Sequence, residues 1–209
     1  MIESKVLLMF FTTSVLLALS PGPDNLFVMT QSAQHGRKAG LLITLGLCTG
    51  LLFHTAAVTL GLAALFKASA AAFTMLKFAG AAYLLYLAWQ AFRAGASNGS
   101  AAVVEKISAA GLFRRVIIMN ISNPKVSIFF LAFLPQFADP ARGPLSWQLA
   151  LLGFVFIIAT IIVFGLISIL AGTLGERFRQ SAFAQKVLNR AAAAIFAGLA
   201  IKLALAQRL

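Results

Sequence analysis

The sequence is poor in cysteine and in acidic residues, and each shortage excludes a class of protein. A single cysteine, Cys48, rules out an intrachain disulfide and a Cys-x-x-Cys redox pair. Only 5 of the 209 residues are Asp or Glu, and the sequence shows no paired carboxylates, metal-ligand cluster, nucleophile triad or phosphate loop. We therefore expect a protein that is not an enzyme and that holds neither a metal nor another cofactor.

Charged residues are also scarce, at 11% of the chain, whereas hydrophobic residues make up 61% and the mean hydropathy is +0.95. A soluble domain typically has about a quarter of its residues charged and about half of them apolar. A core built from 209 residues cannot hide such a surplus of apolar side chains. The composition therefore predicts a protein whose solvent is the lipid bilayer.

The charge that is present is mostly of one sign, with 17 Lys and Arg against 5 Asp and Glu and a formal net charge of +12. In a soluble protein this excess would suggest nucleic-acid binding. Here the cations lie between long apolar stretches and form no basic face interleaved with aromatic residues, which is typical of cytoplasmic membrane loops. We expect no nucleic-acid partner.

Six apolar stretches approach or exceed the roughly 20 residues that a membrane-crossing helix needs. They are Val6–Ala33, Ala39–Phe66, Ala70–Phe92, Val116–Pro135, Trp147–Gly172 and Val187–Ala206. The one long connection, Arg93–Arg115, is rich in Gly and Ser, as flexible linkers are. We predict an all-α membrane protein of six transmembrane helices, a single transport domain over 1–209 with halves at about 1–93 and 116–209 and a cytoplasmic linker at about 94–115.

The first stretch also resembles the hydrophobic region of a signal peptide over Val6–Leu19, with Ala18 and Ser20 as small residues before a cut. Pro21 would follow that cut, where signal peptidase tolerates proline poorly. We therefore interpret this stretch as a retained first helix.

The distribution of the cations predicts the orientation, because cytoplasmic loops carry an excess of Lys and Arg. With both termini outside, the inner loops hold most cations and the outer loops and tails hold few. The inner set is Arg37, Lys38, Arg93, Lys106, Arg114, Arg115, Arg177, Arg179, Lys186 and Arg190, and the outer set is Lys5, Lys67, Arg142 and Arg208. Because each half has three helices, the second half inserts upside down, so the chain can form two inverted three-helix repeats.

Two proline motifs interrupt spans one and four, which hold corresponding places in the two halves. They are Ser-Pro-Gly-Pro-Asp-Asn at 20–25 and Asn-Pro-Lys at 123–125. A proline has no N–H and clashes with the preceding turn, so backbone carbonyls near Leu17, Leu19 and Asn120 lose their helical partners. Irregular backbone survives at membrane depth only against protein or a wet cavity. Matched breaks therefore predict a transport site.

The motif residues themselves suit half-helices that restart after each break. Pro23 and Pro124 fit the first helical position, with Gly22 and Asn123 as caps. Because the two spans run in opposite directions, both half-helix N-termini would face the midplane, where free N–H groups can bind a carboxylate. We take these four residues as candidates for the substrate site.

Asp24 and Lys125 fall in the first turns of these half-helices and cannot easily reach the membrane surface. An intramembrane charge is a functional-site candidate, although two opposite charges can also merely neutralise each other as a buried pair. A zwitterion would offer its ammonium to Asp24 and its carboxylate to Lys125 and the helix N–H groups. We predict that the two residues lie on opposite sides of one substrate cavity, where the carboxylate could exchange a proton during transport.

Weaker candidates are polar residues within or near the broken spans. They are Ser20, Asn25, Gln31, His54 and Asn120. The amides could line the cavity, but buried amides also bridge helices. His54 shares a helix face with Gly46 and Gly50, and close helix packing is a simpler interpretation of that face than a proton relay.

Further motifs accompany the two breaks, namely Gly-Arg-Lys-Ala-Gly at 36–40, Lys-x-x-Gly-Ala-Ala-Tyr-Leu at 77–84 and Phe-Leu-Pro-Gln-Phe at 133–137. In this order, and over essentially the whole chain, the sequence resembles LysE/RhtB-type amino-acid exporters. The resemblance implies efflux of neutral or basic amino acids, or of related metabolites such as homoserine lactones, driven by the proton-motive force across a bacterial inner membrane. A single intramembrane carboxylate matches a single cation, so we favour a neutral amino acid such as threonine, homoserine or leucine.

Two functions of other classes stay open beside transport. A membrane-embedded thiol or electron carrier could use a small helical bundle, although the lone Cys48 argues against it. A structural or assembly subunit would not need broken helices with charges at the midplane. The expected partners are a small-molecule amino-acid substrate and the lipid bilayer, and a homodimer is left open.

Overall fold

The computed structural model describes residues 2–20, 22–68, 70–94, 108–180 and 182–205, and every regular element within these ranges is helical. The α-helices are α1 (Ser4–Leu19), α2 (Pro23–His35), α3 (Arg37–Ala68), α4 (Ala70–Arg93), α5 (Ala109–Ile121), α6 (Pro124–Ile128), α7 (Leu145–Gln180) and α8 (Ala182–Leu205). A π-helical turn (Phe129–Phe133) and a 3₁₀ turn (Leu134–Phe137) continue α6, and a second 3₁₀ turn (Pro140–Arg142) precedes α7. The predicted all-α class is confirmed for these residues.

Both proline motifs end one helix and begin another, as predicted. α1 ends at Leu19 and α2 begins at Pro23, with a bend of 61° between them. α5 ends at Ile121 and the next helix begins at Pro124, with a bend of 48°. Each proline lies at the start of its helix, where its missing N–H costs no helical hydrogen bond. Pro21, within the first motif, lies outside the described residues.

Within the described residues, two helices are individually long and apolar enough to cross a membrane, over Arg37–Gly61 of α3 and Leu145–Ala171 of α7. The number rises to four if each bent pair, α1–α2 and α5–α6, is counted as one span. The predicted third and sixth spans correspond to α4 and α8, and their crossing of the membrane stays a prediction. The fold is thus that of an α-helical membrane protein.

The predicted linker is shorter than expected at its second end. α5 begins at Ala109, ahead of the predicted span boundary at Val116, and Ser108 caps it by accepting a hydrogen bond from the N–H of Gly111 at 3.2 Å. Such a cap satisfies one of the free N–H groups of a helix start. Residues 95–107 of the predicted linker lie outside the described residues.

The broken pair α1–α2 runs antiparallel to the broken pair α5–α6. Glu3, just before α1, forms an ion pair of 2.6 Å with Arg142, beyond the end of the second pair. Further along, Asp24 at the start of α2 contacts Asn120 at the end of α5. The two breaks therefore cross at the same level of the bundle.

The remaining helices pack around this crossing, with α3 against α7 and α4 against α8 as the most extensive pairs, and with α1 on α7 and α5 on α3. Glycines let several helices approach closely. The close pairs are Gly46 with Val116, Gly50 with Asn120, Gly40 with Ser168, and Gly153 with Thr55. From these pairs, α3 runs parallel to α5 and antiparallel to α7.

A cluster of six buried phenylalanines fills the bundle between the breaks and the Glu3–Arg142 ion pair. Neighbouring ring centres in this aromatic cluster are 5.0 to 6.2 Å apart. Its members are Phe10, Phe129, Phe130, Phe133, Phe137 and Phe156. The π-helical turn contributes three of them, so the irregular end of the α5–α6 pair is part of the core.

Candidate functional site

Asp24 lies in the first turn of α2, directly after the first break, and is only 5% exposed. One carboxylate oxygen, Oδ2, accepts a hydrogen bond of 2.8 Å from the side-chain amide of Asn120. The other oxygen, Oδ1, is buried and has no hydrogen-bond partner among the described residues. A buried acceptor without a donor is costly, so this oxygen is ready to accept a hydrogen bond from a ligand.

Asn120 is itself held in place from α3. Its backbone carbonyl loses the helical donor that Pro124 lacks, and it accepts hydrogen bonds from the N–H of Asn123 at 3.0 Å and from Nε2 of His54 at 3.1 Å. Gly50, one turn before His54, lets the Asn120 side chain approach, because an added Cβ would lie 2.8 Å from the Cβ of Asn120. The structure thus places His54 and Gly50 in helix packing, which agrees with the simpler of the two interpretations of that face.

Lys125 reaches from the second break to the first. Its ammonium donates to the carbonyl oxygen of Ser20 at 3.0 Å, to the Ser20 hydroxyl at 3.3 Å and to the carbonyl of Leu17 at 3.4 Å. These carbonyls end α1, where the break removes their helical donors. Gly22 makes room for this contact, because an added Cβ would lie 2.9 Å from the Lys125 nitrogen.

Asp24 and Lys125 do not form a direct ion pair. Within the described residues, the ion pairs of the structure join Arg142 to Glu3 and to Asp139, outside the bundle core. An ammonium has three N–H donors, and the three contacts on Ser20 and Leu17 can occupy all of Lys125's. The two breaks are therefore cross-linked by hydrogen bonds in both directions, from Asn120 to Asp24 and from Lys125 to Ser20.

The other predicted site residues mostly complete the ends of the broken helices. The Asn25 side-chain amide donates to the carbonyls of Ala18 at 2.8 Å and Leu19 at 3.3 Å, which caps the end of α1. Asn123 caps α6 by accepting a hydrogen bond of 3.0 Å from the N–H of Lys125, and its side-chain nitrogen has no partner among the described residues. Gln31 is buried further along α2, beyond the cavity.

A cavity lies where the two breaks cross. Of the predicted site residues, Asp24, Asn120 and Lys125 line it. The rest of its wall comes from Leu17, Ala18, Leu51, Val126, Phe156, Thr160 and Phe164. Measured as the space open to the centre of a water molecule, the cavity is about 20 Å³, which holds a water molecule but not an amino acid. In this structure the cavity is therefore too small to hold an amino acid.

One wall of this cavity was not predicted. Phe156, Thr160 and Phe164 come from α7, and Leu51 comes from α3, neither of which is broken. The three α7 residues are spaced by four, so they share one helix face. That spacing is visible in the sequence, but most of α7 is apolar, and a single Thr between two Phe residues does not distinguish a cavity wall from ordinary packing.

The chemistry of the wall is asymmetric. One side presents the unpartnered Oδ1 of Asp24, which can accept a hydrogen bond from an ammonium. Most of the remaining wall is apolar and suits an uncharged side chain. Lys125 can meet a carboxylate only if its contacts with Ser20 and Leu17 give way.

A profile of the LysE type translocator family matches residues 15–207, nearly the whole chain. The chain belongs to the LysE type translocator family. The resemblance drawn from the motifs is therefore confirmed, and so is the expectation that this LysE-family protein is a transporter and not an enzyme. Both breaks fall within the matched range.

Individual relatives agree with this assignment. This LysE-family chain is 39% identical over 154 residues to the homoserine/homoserine lactone efflux protein of Salmonella typhimurium, which is 74% of each chain. It is 34% identical over 207 residues to an uncharacterized membrane protein of Vibrio cholerae, covering 98% of this chain and 99% of the other. The leucine efflux protein of Salmonella choleraesuis is 32% identical over 131 residues, 62% of each chain. No solved structure matches the chain.

Proposed function

We propose that this LysE-family translocator exports a small neutral amino acid, and that Asp24 binds the ammonium group of that substrate. The observation that carries the proposal is the buried, unpartnered Oδ1 of Asp24 in a cavity between two broken helices. Asn120 holds the carboxylate from its other oxygen, so the free oxygen has a defined direction. The names of two relatives, homoserine/homoserine lactone efflux protein and leucine efflux protein, support this substrate class.

The charge balance of the cavity favours a neutral substrate over a dibasic one. Asp24 is the one acidic residue in the cavity wall, and Lys125 is its one basic residue. A second cation on the substrate would have no carboxylate to meet in the apolar part of the wall, which is costly at membrane depth. Homoserine, threonine and leucine each present one ammonium, one carboxylate and a small uncharged side chain.

In this proposal the substrate carboxylate competes for Lys125. The ammonium of Lys125 would turn from the carbonyls of Ser20 and Leu17 toward the stronger, charged acceptor. That exchange would release the end of α1 from α6. Substrate binding would then be coupled to a change in the angle at the first break, which is the kind of movement that transport requires.

The proposed architecture is six transmembrane helices in two inverted repeats, with both termini outside. Three features support it: the breaks occupy corresponding positions, the α1–α2 and α5–α6 pairs are antiparallel, and α1 packs on α7 as α5 packs on α3. Exchanging the two halves leaves the α3–α7 and α4–α8 pairs unchanged. Such repeats permit alternating access to a site at their interface.

The small volume of the cavity means that its surroundings must separate for a substrate to pass. The aromatic cluster lies between the cavity and the end of the bundle marked by Glu3 and Arg142, which we assign to the outside. Export then requires separation of rings such as Phe10 and Phe137, whose centres are 5.0 Å apart. We propose that the proton-motive force drives the cycle through the protonation of Asp24.

The test is flux in proteoliposomes that contain only the purified protein. Labelled homoserine, threonine, leucine and lysine are compared, with and without an imposed pH gradient, and with Asp24→Asn as the matched variant. We expect flux of the three neutral amino acids, weak flux of lysine, acceleration by the gradient, and flux reduced by about ten- to a hundredfold in the variant. Preferred flux of lysine would contradict the substrate class, and flux without any response to pH would contradict the proton coupling.

No observation favours the other two functions. Cys48 is buried in α3 and does not belong to the cavity wall, so a thiol-based carrier has no site in the described residues. A purely structural subunit gives no role to an unpartnered carboxylate oxygen beside a cavity.

A further inference from the structure

Thr160 contributes a hydroxyl to the part of the cavity wall that comes from the unbroken helix α7. Thr160 lies in the middle of α7, is 2% exposed, and is flanked one turn away on each side by Phe156 and Phe164. Within the part of the chain that the structure describes, its hydroxyl makes no hydrogen bond. It therefore stands in an apolar wall with its hydrogen-bonding capacity unused.

Most neighbouring hydroxyls in α3 and α7 behave differently. Those of the buried Thr44 and Ser168 and of the part-buried Thr55 donate to the backbone carbonyl four residues earlier, at 2.7 to 2.9 Å, whereas the hydroxyl of Thr59, outside the cavity wall, also has no partner among the described residues. This local bond is the ordinary way in which a helix satisfies a buried Ser or Thr. At Thr160 the corresponding bond to Phe156 is not made, so the hydroxyl is available to a ligand in the cavity.

We infer that Thr160 determines specificity, by hydrogen bonding an oxygen on the side chain of the substrate. The inference rests on the proposed function, in which Asp24 takes the ammonium of the same molecule. The substrate class that fits is an amino acid with a side-chain hydroxyl, or with a ring oxygen in the same place. A purely aliphatic side chain of the same size would leave the Thr160 hydroxyl buried and unsatisfied.

Physical chemistry makes this arrangement selective. A site built to hydrogen-bond a substrate oxygen rejects the analogue that lacks it, because a buried polar group is then left without a partner. A purely apolar wall cannot reject a hydroxyl as strongly, since it offers only weak discrimination between isosteric side chains. The hydroxyl of Thr160 is therefore the group in the unbroken helices that distinguishes substrates with a side-chain oxygen from aliphatic ones.

The experiment compares homoserine with norvaline, which replaces the hydroxyl with a methyl group of similar size. Both labelled amino acids are offered to the same proteoliposomes, so their flux ratio does not depend on the amount of protein. Thr160→Val removes the hydroxyl at nearly constant volume and should lower the homoserine-to-norvaline ratio by about five- to tenfold. Thr160→Ser keeps a hydroxyl and should keep most of the ratio.

Thr44→Val is the matched control, because Thr44 is a buried threonine whose hydroxyl is satisfied within α3. It should leave the ratio unchanged. If Thr160→Val does not fold, Thr160→Ala gives the same expected change. A ratio that stays constant in the Thr160 variants, while total flux persists, would overturn the inference and leave the proposed function intact. Absence of flux of both amino acids through the wild-type protein, with no thermal stabilisation by either, would overturn both.

Discussion

The side-chain amide of Asn120 donates a hydrogen bond of 2.8 Å to Oδ2 of Asp24, across the crossing point of two broken helices. The two residues lie 96 positions apart in the chain, one at the end of α5 and the other at the start of α2. Because Asn120 occupies one carboxylate oxygen, only the other remains for a ligand. A contact between the two halves of the protein thus determines which oxygen of Asp24 faces a ligand.

Asp24→Asn should reduce transport of a neutral amino acid by about ten- to a hundredfold. The substitution keeps the shape of the side chain and removes the charge, and a hydrogen bond to a charged group contributes about 1.5–3 kcal/mol. The measurement is the initial rate of flux as a function of substrate concentration. Asp139→Asn is the control, since Asp139 lies in the loop before α7. Wild-type rates in the Asp24 variant would show that the carboxylate does not bind the substrate.

Gly50→Ala should impair transport because the new methyl group would displace Asn120. An added Cβ at Gly50 would lie 2.9 Å from the Asn120 side-chain carbon Cγ, and overpacking of this kind costs about 1–3 kcal/mol. Gly61→Ala in the same helix is the matched control, because an added Cβ there meets nothing within 4 Å. Flux and thermal unfolding in detergent are measured for both variants. Equal flux and equal thermal stability of the two variants would show that Gly50 is not needed to position Asn120.

Gly22→Ala and Lys125→Met should not be additive. The alanine methyl group would lie 2.9 Å from the Lys125 nitrogen and would push it from the carbonyls of α1. Lys125→Met alone leaves the buried carbonyls of Ser20 and Leu17 without this donor, at a cost of about 1–3 kcal/mol. In the methionine background, Gly22→Ala should then cost little further stability.

The measurement for this cycle is the free energy of unfolding in detergent for the wild type, both single variants and the double variant. Gly165→Ala serves as the control for a glycine in open space, because nothing lies within 4 Å of an added Cβ there. Full additivity of the two substitutions would mean that Gly22 has a role unrelated to Lys125.

Two single-cysteine variants should be labelled from opposite sides of the membrane. In a Cys48→Ala background, Ala141→Cys lies in the exposed loop beside Arg142 and should react with an impermeant maleimide in intact cells. Gln34→Cys, exposed at the end of α2, should react only after permeabilisation. Neither substitution changes a charge, so the distribution of cations that sets the topology is preserved. The reverse pattern would place both termini inside.

The breaks could be predicted from the sequence because their cause is local. Pro23 and Pro124 lack an N–H whatever surrounds them, so the helices restart at these residues in the structure as expected. The same argument identified the carbonyls of Leu17, Leu19 and Asn120 as lacking partners. In the structure, side chains of Lys125, Asn25 and His54 donate to these carbonyls, and those of Leu17 and Asn120 also accept a backbone N–H from three residues further on.

The pairing across the halves could not be predicted in the same way. Nothing near Lys125 in the sequence indicates that its ammonium reaches Ser20, 105 residues earlier. Likewise, Thr160 belongs to the cavity only because α7 packs against α1 and α2. Such contacts depend on the packing of whole helices, and a strongly apolar sequence offers few polar positions that would reveal it.

The opposite charges at the two breaks bear on whether the halves of the chain are interchangeable. A protein made of two copies of the first half would bury two carboxylates at its centre and would lack the ammonium that holds the end of α1. Two copies of the second half would bury two ammonium groups without a carboxylate. Either duplicate would leave like charges uncompensated at membrane depth. The halves therefore behave as two different subunits joined in one polypeptide, each completing the broken helix of the other.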